Sequence, residues 1–264
     1  MTKKTVLITG SRGGIGRDTA IALASLGYHV IATVHLEESV DALKDYAKEH
    51  NVSLEVFKLD ITSATDRAKL LNLDIDVLIN NAGVGESGSL TEVPMERMRL
   101  NFETNLFGTM ELTQLVLKKM MQRDSGRIIF ISSIAGRIAM PFWGSYCMTK
   151  HSLSVGADLM RQELKKIKSK IKISVVEPGT YHTGFNQRVM ATKYTWMDEY
   201  SYFYKIIGKI KKEEEMTFKI LERKTTKSIV NKIVQAVESG SPRLRYVAPW
   251  WQALFVRVSR ILGK

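Results

Sequence analysis

Short apolar runs rich in β-branched residues recur along the chain, and between them lie longer stretches whose apolar residues fall at helical spacing. The runs cover residues 5–9 (TVLIT), 28–34 (YHVIATV), 53–59, 77–80, 126–132 (GRIIFIS) and 171–176 (IKISVV), with a weaker one at 244–247. The helical stretches cover 15–26, 37–50, 92–122 and 145–168. A strand that is apolar at nearly every position has no face left for water and must be covered on both sides. Such strands alternating with helices predict the α/β class: a parallel sheet between two layers of helices, three layers in all. Right-handed crossovers make that sheet doubly wound, with its ligand crevice at the carboxyl ends of the strands. Residues just after a strand are therefore the first to search for chemistry.

No repeat, low-complexity segment or Pro/Gly/Ser-rich linker interrupts the 264 residues, so a single domain over 1–264 is expected. Hydrophobic residues make up 44% and charged residues 25%, enough apolar material for a real core. No apolar run approaches the roughly 18–20 residues that span a bilayer. The N-terminal run of Val6, Leu7 and Ile8 ends at Gly10, too short for a signal-peptide core. With a lone cysteine, Cys147, these features lead to the expectation of a reducing, cytoplasmic setting, and no metal is expected. The net charge of +12 suits nucleic acid, an anionic membrane or an anionic cofactor. No nucleic-acid module is visible, and 165–170 (KKIKSK) reads as a solvated helix end. The segment 241–264 carries Arg243, Arg245, Arg257, Arg260 and Lys264 and no acid.

The first run leads straight into TGSRGGIG at 9–16 and then a helix. Glycines serve a turn that adopts positive φ and lets backbone approach a pyrophosphate, and a helix N-terminus offers unpaired N–H groups. The same turn also suits a purely structural strand-to-helix connection. Tyr146 and Lys150 lie four apart on one face of the helix at 145–168. An ammonium one turn away lowers the pKa of a phenol, which alone is too weak a base at neutral pH. Ser132 and Ser133 end the fifth run, where a hydroxyl can hold a substrate oxygen. Asn80-Asn81-Ala82-Gly83 ends the fourth, Pro178-Gly179 breaks the chain after the sixth, and Thr183 follows. Asn105, with Gly108 just beyond, is unfavourable inside the helix expected at 92–122, which hints at a role.

Taken in order and spacing, TGSRGGIG, NNAG at 80–83, Asn105, Ser133, YCMTK at 146–150 and Pro178-Gly179 resemble the short-chain dehydrogenase/reductase family over about residues 3–183. The resemblance implies one Rossmann-like, NAD(P)-binding domain and a tetrad of Asn105, Ser133, Tyr146 and Lys150. Tyr146 would exchange a proton with the substrate oxygen while the nicotinamide exchanges a hydride. Lys150 would lower the tyrosine pKa and bind the nicotinamide ribose, Ser133 would orient the carbonyl, and Asn105 would hold a relay water. Cofactor contacts are implied at Gly10, Ser11, Arg12, Gly14, Ile15, Gly16, His35, Asp60, Ile61, Asn81, Ala82, Gly83, Tyr146, Lys150, Pro178, Gly179 and Thr183. Asp60-Ile61 would meet adenine, Asn81, Ala82 and Gly83 the adenosine ribose, and Thr183 the carboxamide. A homodimer or homotetramer is implied as well.

At the end of the second run Val34 and His35 stand where an acid would bind a ribose 2′-hydroxyl, and Arg12 lies in the glycine loop, so NADP(H) is expected over NAD(H). The segment between Asp60 and Asn80 has room for about two turns of helix, and the chain after Gly179 reads as irregular until about Lys227. That stretch, a lid at about 184–225, is dense in aromatics and methionine. It suits either a pocket for a bulky apolar alcohol or ketone (steroid-, retinoid- or lipid-like) or packing against the sheet or a partner. The tail at about 248–262 (PWWQALFVRVSRIL within it) reads as a helix for subunit packing or for an anionic membrane surface. Two rival readings stay open: a 3-oxoacyl-carrier reductase, whose acidic carrier the positive charge suits, and a non-catalytic dinucleotide-binding regulator.

Overall fold

The computed structural model describes residues 4–262; Met1 to Lys3 and Lys264 of the basic tail lie outside them. Seven strands form one parallel sheet in the order β3-β2-β1-β4-β5-β6-β7. They are β1 (Thr5–Ile8), β2 (His29–Val34), β3 (Glu55–Lys58), β4 (Val77–Asn80), β5 (Arg127–Ile131), β6 (Lys172–Pro178) and β7 (Arg245–Ala248). Strand order reverses between β1 and β4, which pair Val6 with Val77 and Ile8 with Ile79. Loops leaving these two strands in opposite directions open a crevice at their carboxyl ends.

The period of two along each strand sends alternate residues to opposite layers. Val6, Ile8, Val30 and Ala32 pack with α1 (Gly14–Ser25), α2 (Ser39–Glu49) and α9 (Lys227–Glu238), through Leu23, Leu43, Ile229 and Ile233. Leu7, Ile31, Leu78 and Phe130 face the other way, onto α5 (Thr109–Gln122) and α6 (Gly144–Lys166), through Leu112, Val116, Leu153 and Ala157. Residues such as Leu7, Ile8 and Phe130 are fully buried. The near-continuous apolar runs exist because both faces of the sheet are covered.

Two expectations need correction. The stretch 92–122 is not one helix: α4 (Met95–Phe102) passes through a π-helical turn at Glu103–Gly108 into α5. Pro94 starts α4 late, and the widened turn accommodates Asn105 and Gly108, which a regular helix tolerates poorly. The chain after Gly179 is less irregular than its pattern predicts, because α7 (Phe185–Lys193) and α8 (Ile207–Leu221) lie in it. α7 has few apolar residues and α8 is broken by the charged run KKEEE at 211–215, which masks the helical period. Between Asp60 and Asn80, α3 (Ala64–Ala68) and a 3-10 turn at Lys69–Asn72 fill the short connection, and α10 (Trp250–Ile261) closes the chain.

Candidate active site

The loop after β1 is built around close backbone approach. Gly10 and Gly14 sit at φ of 70° and 56°, in the left-handed region. A Cβ on Gly10 would stand 2.6 Å from the Cα of Ala82. The Asn81 amide donates to the carbonyls of Thr9 and Gly10, both at 2.9 Å, and the Thr9 hydroxyl accepts from the N–H groups of Asn81 and Ala82 at 3.1 and 3.0 Å. The end of β4 is thereby stitched to the glycine loop. Gly13 caps α1 with no side-chain hydrogen bond, so the N–H groups of Gly14, Ile15 and Gly16 have neither a helical partner nor a cap. Thr183 packs against Gly14, where a Cβ would lie 2.9 Å from its own. Open space lies beside Gly13, and Arg12 is exposed. An uncapped helix N-terminus behind a side-chain-poor loop is the donor set a pyrophosphate needs, and these residues fit one.

Ser11 is different. It is buried, its hydroxyl donates to the Ile8 carbonyl at 3.2 Å and its N–H to Thr33 at 2.7 Å, so it braces the loop from within. His35 faces Asp60 across 3.8 Å, and the Asp60 carboxylate accepts from the N–H and hydroxyl of Thr62. Ile61 is buried, with Arg67 donating to its carbonyl at 2.7 Å. Pro178 ends β6, and Gly179 lies against Gln252 and Pro249.

At the ends of β5 and β4 the four remaining candidates converge. Tyr146 and Lys150, in the first two turns of α6, are 8% and 5% exposed. The Lys150 ammonium donates to the Ile131 carbonyl at 3.1 Å and stands 5.7 Å from the centre of the Tyr146 ring. Ser133 accepts from the Ala135 N–H at 3.1 Å, capping a short 3-10 turn, and its hydroxyl lies near the Tyr146 phenol. A Cβ on Gly83 would meet the Asn105 side-chain oxygen at 3.0 Å and Lys150 Nζ at 3.5 Å.

The electrostatics among the protein's own groups run against the expectation of a lowered phenol pKa. Burial pushes Tyr146 well above its ordinary value, and the nearby Ser133 hydroxyl offsets only part of that. Burial also pulls Lys150 down to about 8. Low dielectric disfavours each charge separately, so the protein holds a neutral phenol beside an amine that loses its proton readily.

The Asn105 side chain is held by the protein's own groups. Its side-chain oxygen accepts from the Val84 N–H and its amide donates to the Val84 carbonyl, both at 2.8 Å. The same amide reaches Asn101 and Thr149, each at 3.1 Å. With its side chain so engaged, Asn105 pins the loop after β4 to α6. Asn101 continues this brace to Glu86 and Ser145.

A second buried network escaped sequence reading. Lys193 of α7 is fully buried, donates to the Phe142 carbonyl at 3.2 Å and pairs with Glu214 of α8. Glu214 also accepts from Trp143 Nε1 at 3.1 Å and from the Tyr194 hydroxyl at 2.7 Å. Trp143 meets Tyr146 edge-on, with centroids 6.0 Å apart, and Phe185 of α7 lies 5.7 Å from the Tyr146 ring. The segment expected as a lid thus shares an apolar cluster with Tyr146, through Val189, Phe218, Phe185 and Met190. The only trace in the sequence is a lysine and a glutamate inside an aromatic-rich stretch, which reads equally well as surface charge.

A family profile described as short chain dehydrogenase matches residues 4–193. The chain is 35% identical over 190 residues to the uncharacterized oxidoreductase YusZ of Bacillus subtilis, covering 69% of this chain and 67% of that one. It is 33% identical over 240 residues to the ketoacyl reductase HetN of a Nostoc species, covering 88% and 79%. A crystal structure of a short chain dehydrogenase/reductase from Burkholderia phymatum, in complex with NAD, superposes with a TM-score of 0.82 at 18% identity, covering 99% of this chain and 95% of that one.

Proposed function

The chain belongs to the short-chain dehydrogenase family of oxidoreductases, and from that premise we propose that it interconverts a hydroxyl and a carbonyl on a bulky apolar substrate, with NADP(H) as hydride carrier and Tyr146 as acid/base. The observation that carries this reading is the burial of Tyr146 and Lys150, with the half-buried Ser133 beside them, next to a phosphate-competent glycine loop. A bound nicotinamide would supply or accept the hydride at the substrate carbon. Tyr146, protonated at neutral pH, donates its proton to the carbonyl oxygen, and Ser133 holds that oxygen by a hydrogen bond. Lys150 binds ribose hydroxyls and, in its charged form, stabilises the phenolate left behind. Asn105 keeps the loop from Gly83 to Val84 in register with α6.

The uncapped start of α1 with Gly10, Gly14 and Gly16 suits the pyrophosphate. Arg12 and His35 suit a 2′-phosphate, Asp60 and Ile61 the adenine, Asn81, Ala82 and Gly83 its ribose, and Pro178, Gly179 and Thr183 the nicotinamide end. The apolar lid residues against Tyr146 favour a free lipophilic substrate, handled as a homo-oligomer in a reducing cytoplasmic setting. The name of the Nostoc relative and the positive charge favour a second reading, reduction of carrier-linked ketoacyl groups. Turnover of aromatic, steroidal and acyl-thioester ketones with NADPH and NADH, followed at the nicotinamide absorbance, separates the two. Free apolar ketones turned over with a lower KM for NADPH support the proposal; turnover of acyl thioesters alone favours the second reading, and a lower KM for NADH removes the phosphate assignment.

A further inference from the structure

α10 presents two unlike faces. Gln252 and Val256 are buried: Gln252 accepts from the Thr180 N–H at 2.8 Å and donates to the Leu221 carbonyl at 3.0 Å, at the end of α8. The helix is thus clamped between the loop after β6 and the end of the lid. The other face is apolar and open. Trp250 is 75% and Ile261 76% exposed, and Leu254 and Val258 lie between them at spacings that align on a helix, with Phe255 and Leu262 alongside. Met216 and Ile220 of α8 are exposed too, just before the carbonyl that Gln252 holds. The charges on α10, Arg257 and Arg260, are both cationic and exposed and border this stripe. No helix among the described residues is long and apolar enough to cross a membrane.

We propose that α10 is a docking surface for an anionic lipid bilayer, seating the apolar stripe in the headgroup boundary with Arg257 and Arg260 on lipid phosphates. An apolar stripe of this extent with a cationic border fits a surface apolar below and negative above. A second copy fits it less well, because a two-fold contact through α10 brings arginines of like charge together with no acid on the helix to answer them. The clamp through Gln252 turns the lid side of the molecule toward the lipid, so that an apolar substrate would enter from the membrane. That direction of entry rests on the proposed function; the docking itself does not.

The test uses full-length protein with vesicles of neutral phosphatidylcholine alone or with anionic phosphatidylglycerol. Binding roughly tenfold or more tighter to anionic vesicles, and weakened by salt, is expected. Leu254→Glu/Ile261→Glu should abolish binding, and Arg257→Ala/Arg260→Ala should erase the preference for anionic lipid. Turnover of a water-soluble ketone should persist in both variants, so loss of docking and loss of catalysis are read separately. Equal vesicle binding by wild type and the Glu variant overturns the proposal. So does a Glu variant that changes the oligomeric state in light scattering, which would make α10 a subunit interface.

Discussion

Lys150 carries a cost that can be measured apart from catalysis. Its folded pKa of about 8 lies below that of an unfolded lysine, so between pH 8 and about 10.5 the unfolded chain binds a proton that the folded chain has released. Stability therefore rises with pH across that window, and below it burial of the charge costs on the order of 3 kcal/mol. Lys150→Met should raise Tm at pH 7 by a few degrees while removing activity, and its advantage should shrink as pH climbs through 8 toward 10.5. A variant equal to wild type at every pH would show that Lys150 is not strained by burial. At the glycine loop, exposed Arg12 is the only cation of that turn. Arg12→Ala should raise KM for NADPH about tenfold or more and leave KM for NADH nearly unchanged, as steady-state titration would show; parallel changes would contradict a phosphate role.

Among the elements, the lid depends on one ion pair. Lys193 and Glu214 join α7, α8 and the residue before Tyr146's helix, and both rings at the pair, Trp143 and Tyr194, bond the same carboxylate. Removing one partner leaves a buried charge without its counterion, so Glu214→Ala should cost about 3 kcal/mol in denaturant unfolding. It should also raise KM for bulky ketones more than it lowers kcat. The double change Lys193→Met/Glu214→Leu should recover most of the stability. If it does not, the pair is not the source of the loss. These elements also mark where sequence reading stopped. Strands β1, β2, β4 and β5 were legible because burial on both faces leaves few polar positions, and α6 because its apolar stripe is long. The π-helical turn was legible only as misfit, at Asn105 and Gly108. The lid helices were not, since a buried Lys193 and an exposed Tyr202 read alike without a fold around them.

Most of the candidate residues, though spread from Gly10 to Thr183, follow strands whose ends lie on one edge of the sheet, while the π-helical turn carries Asn105 and α6 carries Tyr146 and Lys150. What the sequence could not show is which outer surfaces remain apolar after folding. Leu100, Phe107, Val155 and Leu159 are exposed on α4, the π-helical turn and α6, apart from α10. Met110 beside Gly156 brings α5 and α6 together there. Self-association through this face is expected, so Phe107→Asp/Leu159→Asp should shift the protein toward monomer in light scattering; an unchanged mass would assign the oligomer elsewhere. The whole account turns on a buried phenol that hands its proton to a substrate oxygen. Single-turnover reduction of an apolar ketone by NADPH, compared between wild type and Tyr146→Phe, tests this most directly. The account predicts a rate lower by at least about 100-fold in the Phe variant with Tm retained, and an undiminished rate would contradict it.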